Sequence, residues 1–183
     1  MGGREKVLAD LTDMFEKTPR DYLWNAYYNH ANEPVHHVPF LFNRLNEPSL
    51  TQKWSRDICR NAYRNEVTGL VGNEDVGQMS AWYVLAASGI YPICPGDLRY
   101  EITSPAFDRI EFRLDSKYAS GNSFVVEAKD NSPENVYIQS ATLNGKPYNH
   151  CYLTHADLMA GGTLVLQMGP NPSEWGKAQS SEQ

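Results

Sequence analysis

The sequence predicts an α+β fold, with helices in the first half and a small antiparallel β region after them. Apolar residues recur at helical spacing up to about Ser88, and short β-rich runs separated by turn residues begin near Tyr100. Between the two patterns, Tyr91-Pro92-Ile93-Cys94-Pro95-Gly96-Asp97 reads as a hinge. The expected organisation is a helical segment over 1–90, a linker over 91–99, a β region over 100–175 and a disordered tail over 176–183.

Each element has its own signal. Val7, Leu8, Leu11, Met14 and Phe15 share one helical face, with Arg4, Glu5, Lys6, Asp10 and Asp13 around it. A second helix is expected from Pro34 to about Leu45, almost uncharged up to Arg44. A third, from about Ser49 to Tyr63, carries the stripe Leu50, Trp54, Ile58 and Ala62. A fourth, from about Asp75 to Ser88, is again uncharged and stops at Gly89, with Pro92 beyond. Helices joined by short connections run antiparallel, so the second and fourth should start at the same end. The alternation of amphipathic and apolar helices is what the concentric layers of an (α/α) barrel require. Strands are expected over Tyr100–Ile102, Arg109–Leu114, Ser123–Ala128, Tyr137–Leu143 and Thr163–Met168. Asn144-Gly145 signals a tight hairpin.

Bulk properties narrow the function. At 183 residues and net charge −6, with no Lys/Arg cluster, the chain is not expected to bind nucleic acid. No apolar run is long enough for a membrane span. Met1-Gly2-Gly3-Arg4 leads straight into an amphipathic helix, so no signal peptide is expected in this sequence. Cys59, Cys94 and Cys151 lack metal-binding spacing and allow at most one disulfide.

Two loops concentrate polar chemistry in front of apolar helices. Gly72-Asn73-Glu74-Asp75-Val76-Gly77-Gln78 places adjacent acids before an uncharged helix, where ionised carboxylates are costly unless paired or capping. Asp75 is the natural N-cap. Tyr27-Tyr28-Asn29-His30-Ala31-Asn32-Glu33-Pro34-Val35-His36-His37 crowds histidines, an acid, amides and tyrosines into one short stretch. Parallel second and fourth helices would bring Asn32/Glu33 and Asn73/Glu74/Asp75 to one face, suited to sugar or metal recognition. The plainer alternative is that both are helix caps in a simple helical cluster. His150 and His155 are expected to be structural or exposed.

These blocks, with Gly89-Ile90-Tyr91-Pro92-Ile93-Cys94-Pro95-Gly96, Ser104-Pro105-Ala106-Phe107-Asp108 and Ile138–Gly145, resemble glycoside hydrolase family 92, the calcium-dependent exo-α-mannosidases. The resemblance implies that the helical half is part of an (α/α)6 barrel. It further implies that the chain is the C-terminal portion of an enzyme with an N-terminal β-sandwich and earlier barrel helices. The implied substrates are glycans carrying terminal α-linked mannose, of N-glycan or mannan type, and the parent is expected to be secreted, periplasmic or at the cell surface.

Inverting glycosidases pair an acid on the leaving oxygen with a base that activates water. The resemblance implies that Asp75 is the base or part of it, with Asn73 at a position that can carry a second acid. It implies substrate contacts from Asn32, Glu33, His36, Glu74 and Gln78, and calcium ligation from Asn32, Glu33 and Asp75. The family's general acid lies in a Glu-Gly-Asn block followed by Trp-Gln-Tyr, and no such block occurs here. The chain is therefore expected to carry the base side of a site without its acid, and to be inactive alone. The alternatives are a non-catalytic carbohydrate- or calcium-binding module and a structural domain.

Overall fold

A computed structural model describes residues 2–178. The α+β class is as expected. Helix α1 spans Gly3–Lys17, and two 3-10 turns, Glu33–Val35 and Val38–Phe40, lead into a short α2, Leu41–Arg44. Helices α3, Pro48–Asn61, and α4, Gln78–Ala87, complete the helical half. The expected long second helix is thus broken. Pro34 and Pro39 each remove an amide donor and favour a fresh start, so the segment winds as successive short turns.

The β half comprises β1 (Ile90–Tyr91), β2 (Arg99–Ile102), β3 (Arg109–Arg113), β4 (Ser123–Lys129), β5 (Tyr137–Leu143), β6 (Lys146–Pro147), β7 (Tyr152–Thr154), α5 (His155–Ala160) and β8 (Gly162–Gly169). One sheet is antiparallel, in the order β1-β2-β7, and the other runs β3-β4-β8-β5-β6. The expectation of a purely antiparallel region needs one correction: β4 and β8 pair in parallel. After the β5–β6 hairpin the chain crosses to the first sheet at β7, and α5 returns it so that β8 inserts between β4 and β5. Asn144 (φ 52°) and Gly145 (φ 78°) form the expected hairpin turn in left-handed backbone, joining the pair Leu143↔Lys146.

Each half has its own apolar core. Phe15, Tyr28, Phe40, Phe42, Trp54, Ile58, Met79 and Trp82 fill the helical one. Ile102, Phe124, Val126, Ile138, Leu153, Leu164 and Leu166 fill the other. Helix α4 explains its lack of charge on only one side. Met79, Trp82, Ala86 and Ala87 are buried, while Ala81 and Val84 face solvent.

The halves are joined by buried polar groups. Gln52 of α3, 1 % exposed, accepts the Ile138 amide at 2.9 Å. Arg56, also buried, reaches Ser104 O, Pro105 O and Asn131 Oδ1, so its charge is met by three oxygens of the β half. Burial lowers its pKa to about 10. On α2, Asn43 Nδ2 donates to Glu101 Oε2 at 2.9 Å, and Arg44 Nε bonds Glu101 Oε1 at 2.6 Å. Thr103 Oγ1 donates to Ala86 O at 2.6 Å, tying β2 to the end of α4.

Gly176 packs against Cys151 and Pro48, and Lys177 pairs with Glu47 at 3.3 Å, so the chain is docked through this point. The rest of the expected tail, 179–183, lies outside the described residues. All three cysteines are free thiols. Among the described residues no helix is long and apolar enough to cross a membrane.

Replacing Gln52 with Ala strands the buried Ile138 amide, and an unsatisfied buried donor costs about 1–3 kcal/mol. Urea denaturation of Gln52→Ala is expected to show that loss with an unchanged m-value.

Candidate functional site

The two loops singled out in the sequence meet. Gly72 lies against Ala31 so closely that a Cβ added to Gly72 would stand 2.8 Å from Ala31 Cβ. Its φ of 75° also favours glycine. The start of α4 is joined to the turn at Glu33 through side chains: Gln78 Nε2 donates to His36 Nδ1 at 3.2 Å, and Trp82 Nε1 donates to His36 O at 3.0 Å.

Beneath the loops runs a hydrogen-bond chain that sequence reasoning did not find. The Tyr63 hydroxyl donates to Met79 O at 3.0 Å, so it must accept from His30 Nε2 at 2.7 Å. His30 Nδ1 therefore accepts from the Tyr28 hydroxyl at 2.9 Å. This fixes His30 as the neutral Nε2–H tautomer. Burial, reinforced by His36, holds its pKa well below 6.5. His36 is likewise assigned: Nε2 faces His30 O at 2.9 Å and must donate, leaving Nδ1 to accept from Gln78. The two imidazoles stack at 4.5 Å, the Trp82 and His30 ring centroids lie 4.4 Å apart at 69°, and the Tyr63 ring is nearly parallel to Trp82. The only advance signal was the density of histidine and tyrosine before Pro34.

His36, expected as a substrate contact, is turned into the protein. It is 2 % exposed and both ring nitrogens are engaged inside the protein, so nothing on the ring is left for a sugar hydroxyl. Gln78 spends one of its donors on that ring. Glu74 is also committed: its carboxylate accepts the Ser80 amide at 3.0 Å and the Ser80 hydroxyl at 2.8 Å. Asp75 is not the N-cap. Helix α4 begins three residues later, Gly77 occupies the cap position, and Glu74 supplies the capping oxygens from further back. The reason is local backbone: Asp75 (φ 44°), Val76 (φ 58°) and Gly77 (φ 91°) are successively left-handed and cannot belong to a right-handed helix.

That backbone presents Asp75 and Asn73 to solvent. Left-handed Val76 is strained, and its side chain is fully exposed, so packing does not account for it. Asn32 is half-buried, and Glu33 Oε1 is buried without a hydrogen-bond partner among the described residues. The Tyr63 hydroxyl is pushed up mainly by burial, with smaller contributions from Cys59, Tyr91, Glu74 and Glu33. A buried lone carboxylate oxygen is a suitable donor to a hard cation. Calcium takes about six to eight oxygens, however, and among the described residues no three His, Cys, Asp or Glu side chains gather to hold a metal. His150 is exposed, and His155 bonds the Tyr100 hydroxyl at 2.9 Å, both as expected.

The sequence profile of the glycosyl hydrolase family 92 catalytic domain matches residues 1–170. The chain belongs to this family. It is similar to a family GH92 α-mannosidase of Bacteroides thetaiotaomicron, with 36 % identity and a TM-score of 0.87 over 96 % of this chain and 23 % of that one. That enzyme is also known in complex with mannoimidazole. The family GH92 inverting mannosidase of the same organism is 36 % identical, with a TM-score of 0.84 over 97 % of this chain and 26 % of that one. An uncharacterized secreted glycosidase of Arthroderma benhamiae is 33 % identical over 98 % of this chain and 22 % of its own length. The family assignment thus agrees with the resemblance, and the chain spans about a quarter of these relatives.

Two outcomes are expected. The unfolded chain protonates histidine near pH 6.5 while folded His30 stays neutral. Its contribution is therefore complete above that pH and is lost as pH falls toward the depressed folded value, by up to about 1.4 kcal/mol per pH unit. Denaturation at pH 7, 6 and 5 should show the decline, steeper than in His30→Gln. Separately, Val76→Asn is expected to stabilise by about 1 kcal/mol, because asparagine tolerates the left-handed backbone that strains valine.

Proposed function

We propose that this chain is the base-bearing part of an inverting α-mannosidase whose remaining segments supply the general acid. The observation that carries the reading is the meeting of the Glu33 turn with an exposed, strained Asp75 loop, in a chain of this family. In the proposed reaction Asp75 takes a proton from a water molecule as its oxygen attacks the anomeric carbon. The glycosidic bond breaks on the opposite face, and an acid from another segment protonates the departing oxygen. Mannose is released with inverted configuration, as the word "inverting" says of the Bacteroides relative. Asn73 flanks the base, and Glu74, through Ser80, holds the loop that aims it.

Asn32 and Glu33 are proposed to face the sugar or a calcium ion, with Gln78 behind them and Asp75 as a further oxygen donor. If calcium binds, it supplies a hard positive charge that orients sugar hydroxyls. Among the described residues no three His, Cys, Asp or Glu side chains converge there, so amide and backbone carbonyls, water, substrate or other segments would complete its shell. The proposed substrates are glycans ending in α-linked mannose, supported by the mannosidase relatives and the mannoimidazole complex. Export of the parent is supported by the secreted fungal relative. The proposed parent architecture joins this partial (α/α)6 helical segment and its β region to an N-terminal β-sandwich.

The test is Asp75→Asn in the full-length parent, assayed for mannose release with the thermal melt as control. We expect kcat to fall by about two to four orders of magnitude, with the melt unchanged. Retained turnover with an intact fold would remove Asp75 from the role.

A further inference from the structure

A cavity of about 1120 Å³ shares no residue with the Glu33 turn or the Gly72–Gln78 loop. It opens between the end of α2, the β2 and β7 strands and the segment Glu174–Ala178. We propose that it is a second carbohydrate-binding site, taking a neutral oligosaccharide of more than one ring.

Charge decides against an anionic ligand. The three cations of the lining are all spent. Arg44 pairs with Glu101 at 2.6 Å and Asp97 at 3.1 Å, and Arg99 pairs with Asp97 at 3.2 Å. Lys177 pairs with Glu47 at 3.3 Å and Glu174 at 3.2 Å. An anion entering here would find no uncompensated positive charge and would meet two carboxylates, Glu101 and Glu174.

What the lining offers instead is neutral. The exposed lining side chains Gln139 and Ser140 are a neutral amide and a hydroxyl, and a ligand hydroxyl, which both donates and accepts, matches both. Exposed Asn149 adds a planar amide at the rim. The aromatic side is equally suited. His150 and Tyr152 both line it, their ring centroids 5.5 Å apart and tilted at 45°, and Arg99 covers one face of the Tyr152 ring. Ring faces beside planar polar groups fit the alternating C–H and O–H surfaces of a pyranose. The volume slightly exceeds the roughly 300–1,000 Å³ of small-ligand clefts, which leaves room for more than one sugar. A glycosidase fragment holding glycan away from the Asp75 loop would raise local substrate concentration. The binding claim itself stands without the catalytic proposal.

The test is chemical-shift mapping of the ¹⁵N-labelled 183-residue chain with mannobiose, and with sodium phosphate in a parallel titration. We expect mannobiose to shift the Asn149, His150 and Tyr152 amides saturably, and phosphate to leave them in place. His150→Ala and Asn149→Ala lie on the exposed rim and spare the fold. The first is expected to weaken binding about tenfold, the size of a loss of one well-made contact, and Asp75→Asn to leave it unchanged. Three results would overturn the site: no saturable shift, shifts confined to Asn32–Glu33 and Gly72–Gln78, or phosphate acting where mannobiose does not.

Discussion

The candidate site rests on a neutral histidine buried in the helical core. His30 can join Tyr28 to Tyr63 only if one ring nitrogen donates and the other accepts, and Tyr63 passes the chain to the carbonyl of Met79 in the first turn of α4. A charged imidazolium would have two donors and no acceptor, so the Tyr28 contact would fail. Burial makes that charged form costly and keeps the chain in one register. Stacked above it, His36 carries the same logic outward to Gln78 and, through its carbonyl, to Trp82. The start of α4 is therefore pinned against the Glu33 turn from below. The loop between them can hold three left-handed residues because its ends cannot move.

The polar seam between the halves serves the same end. Glu101, fully buried, has its carboxyl pushed up by burial, while Asn43 and Arg44 supply the hydrogen bonds that favour its charge. Arg56 and Gln52 do the corresponding work along α3. Such contacts contribute little net stability but penalise misalignment heavily, since each unpaired buried group costs more than a pair gains. The β half thereby fixes the far ends of α2 and α4, and the cavity at Asn43 lies along this seam.

Much of this was legible in the sequence. The five main strands, the Asn144-Gly145 turn and the change of pattern at Tyr91 followed from periodicity and turn chemistry. The two polar loops were found, but they meet without the long second helix from which their meeting was expected, since that segment winds as two 3-10 turns and a four-residue α2. Legibility failed where a local rule met a competing one. Pro34 and Pro39 broke a stretch whose apolar content looked like one helix, and left-handed Val76 displaced the start of α4 beyond the acid that seemed its cap. The partners of His30 are far along the chain, up to Tyr63 and Met79. No local pattern could separate a structural relay from a substrate contact there, so the hydrogen bonds of His30 and His36 were not legible.

The functional account places the proposed base on a loop whose geometry depends on the His30 tautomer. Long-range ¹H–¹⁵N correlation of the imidazole nitrogens at pH 5.5 tests this most directly. The account requires a protonated Nε2 and an unprotonated Nδ1 for His30, still neutral at a pH where a free histidine is charged. An imidazolium signal, or the proton on Nδ1, would contradict it.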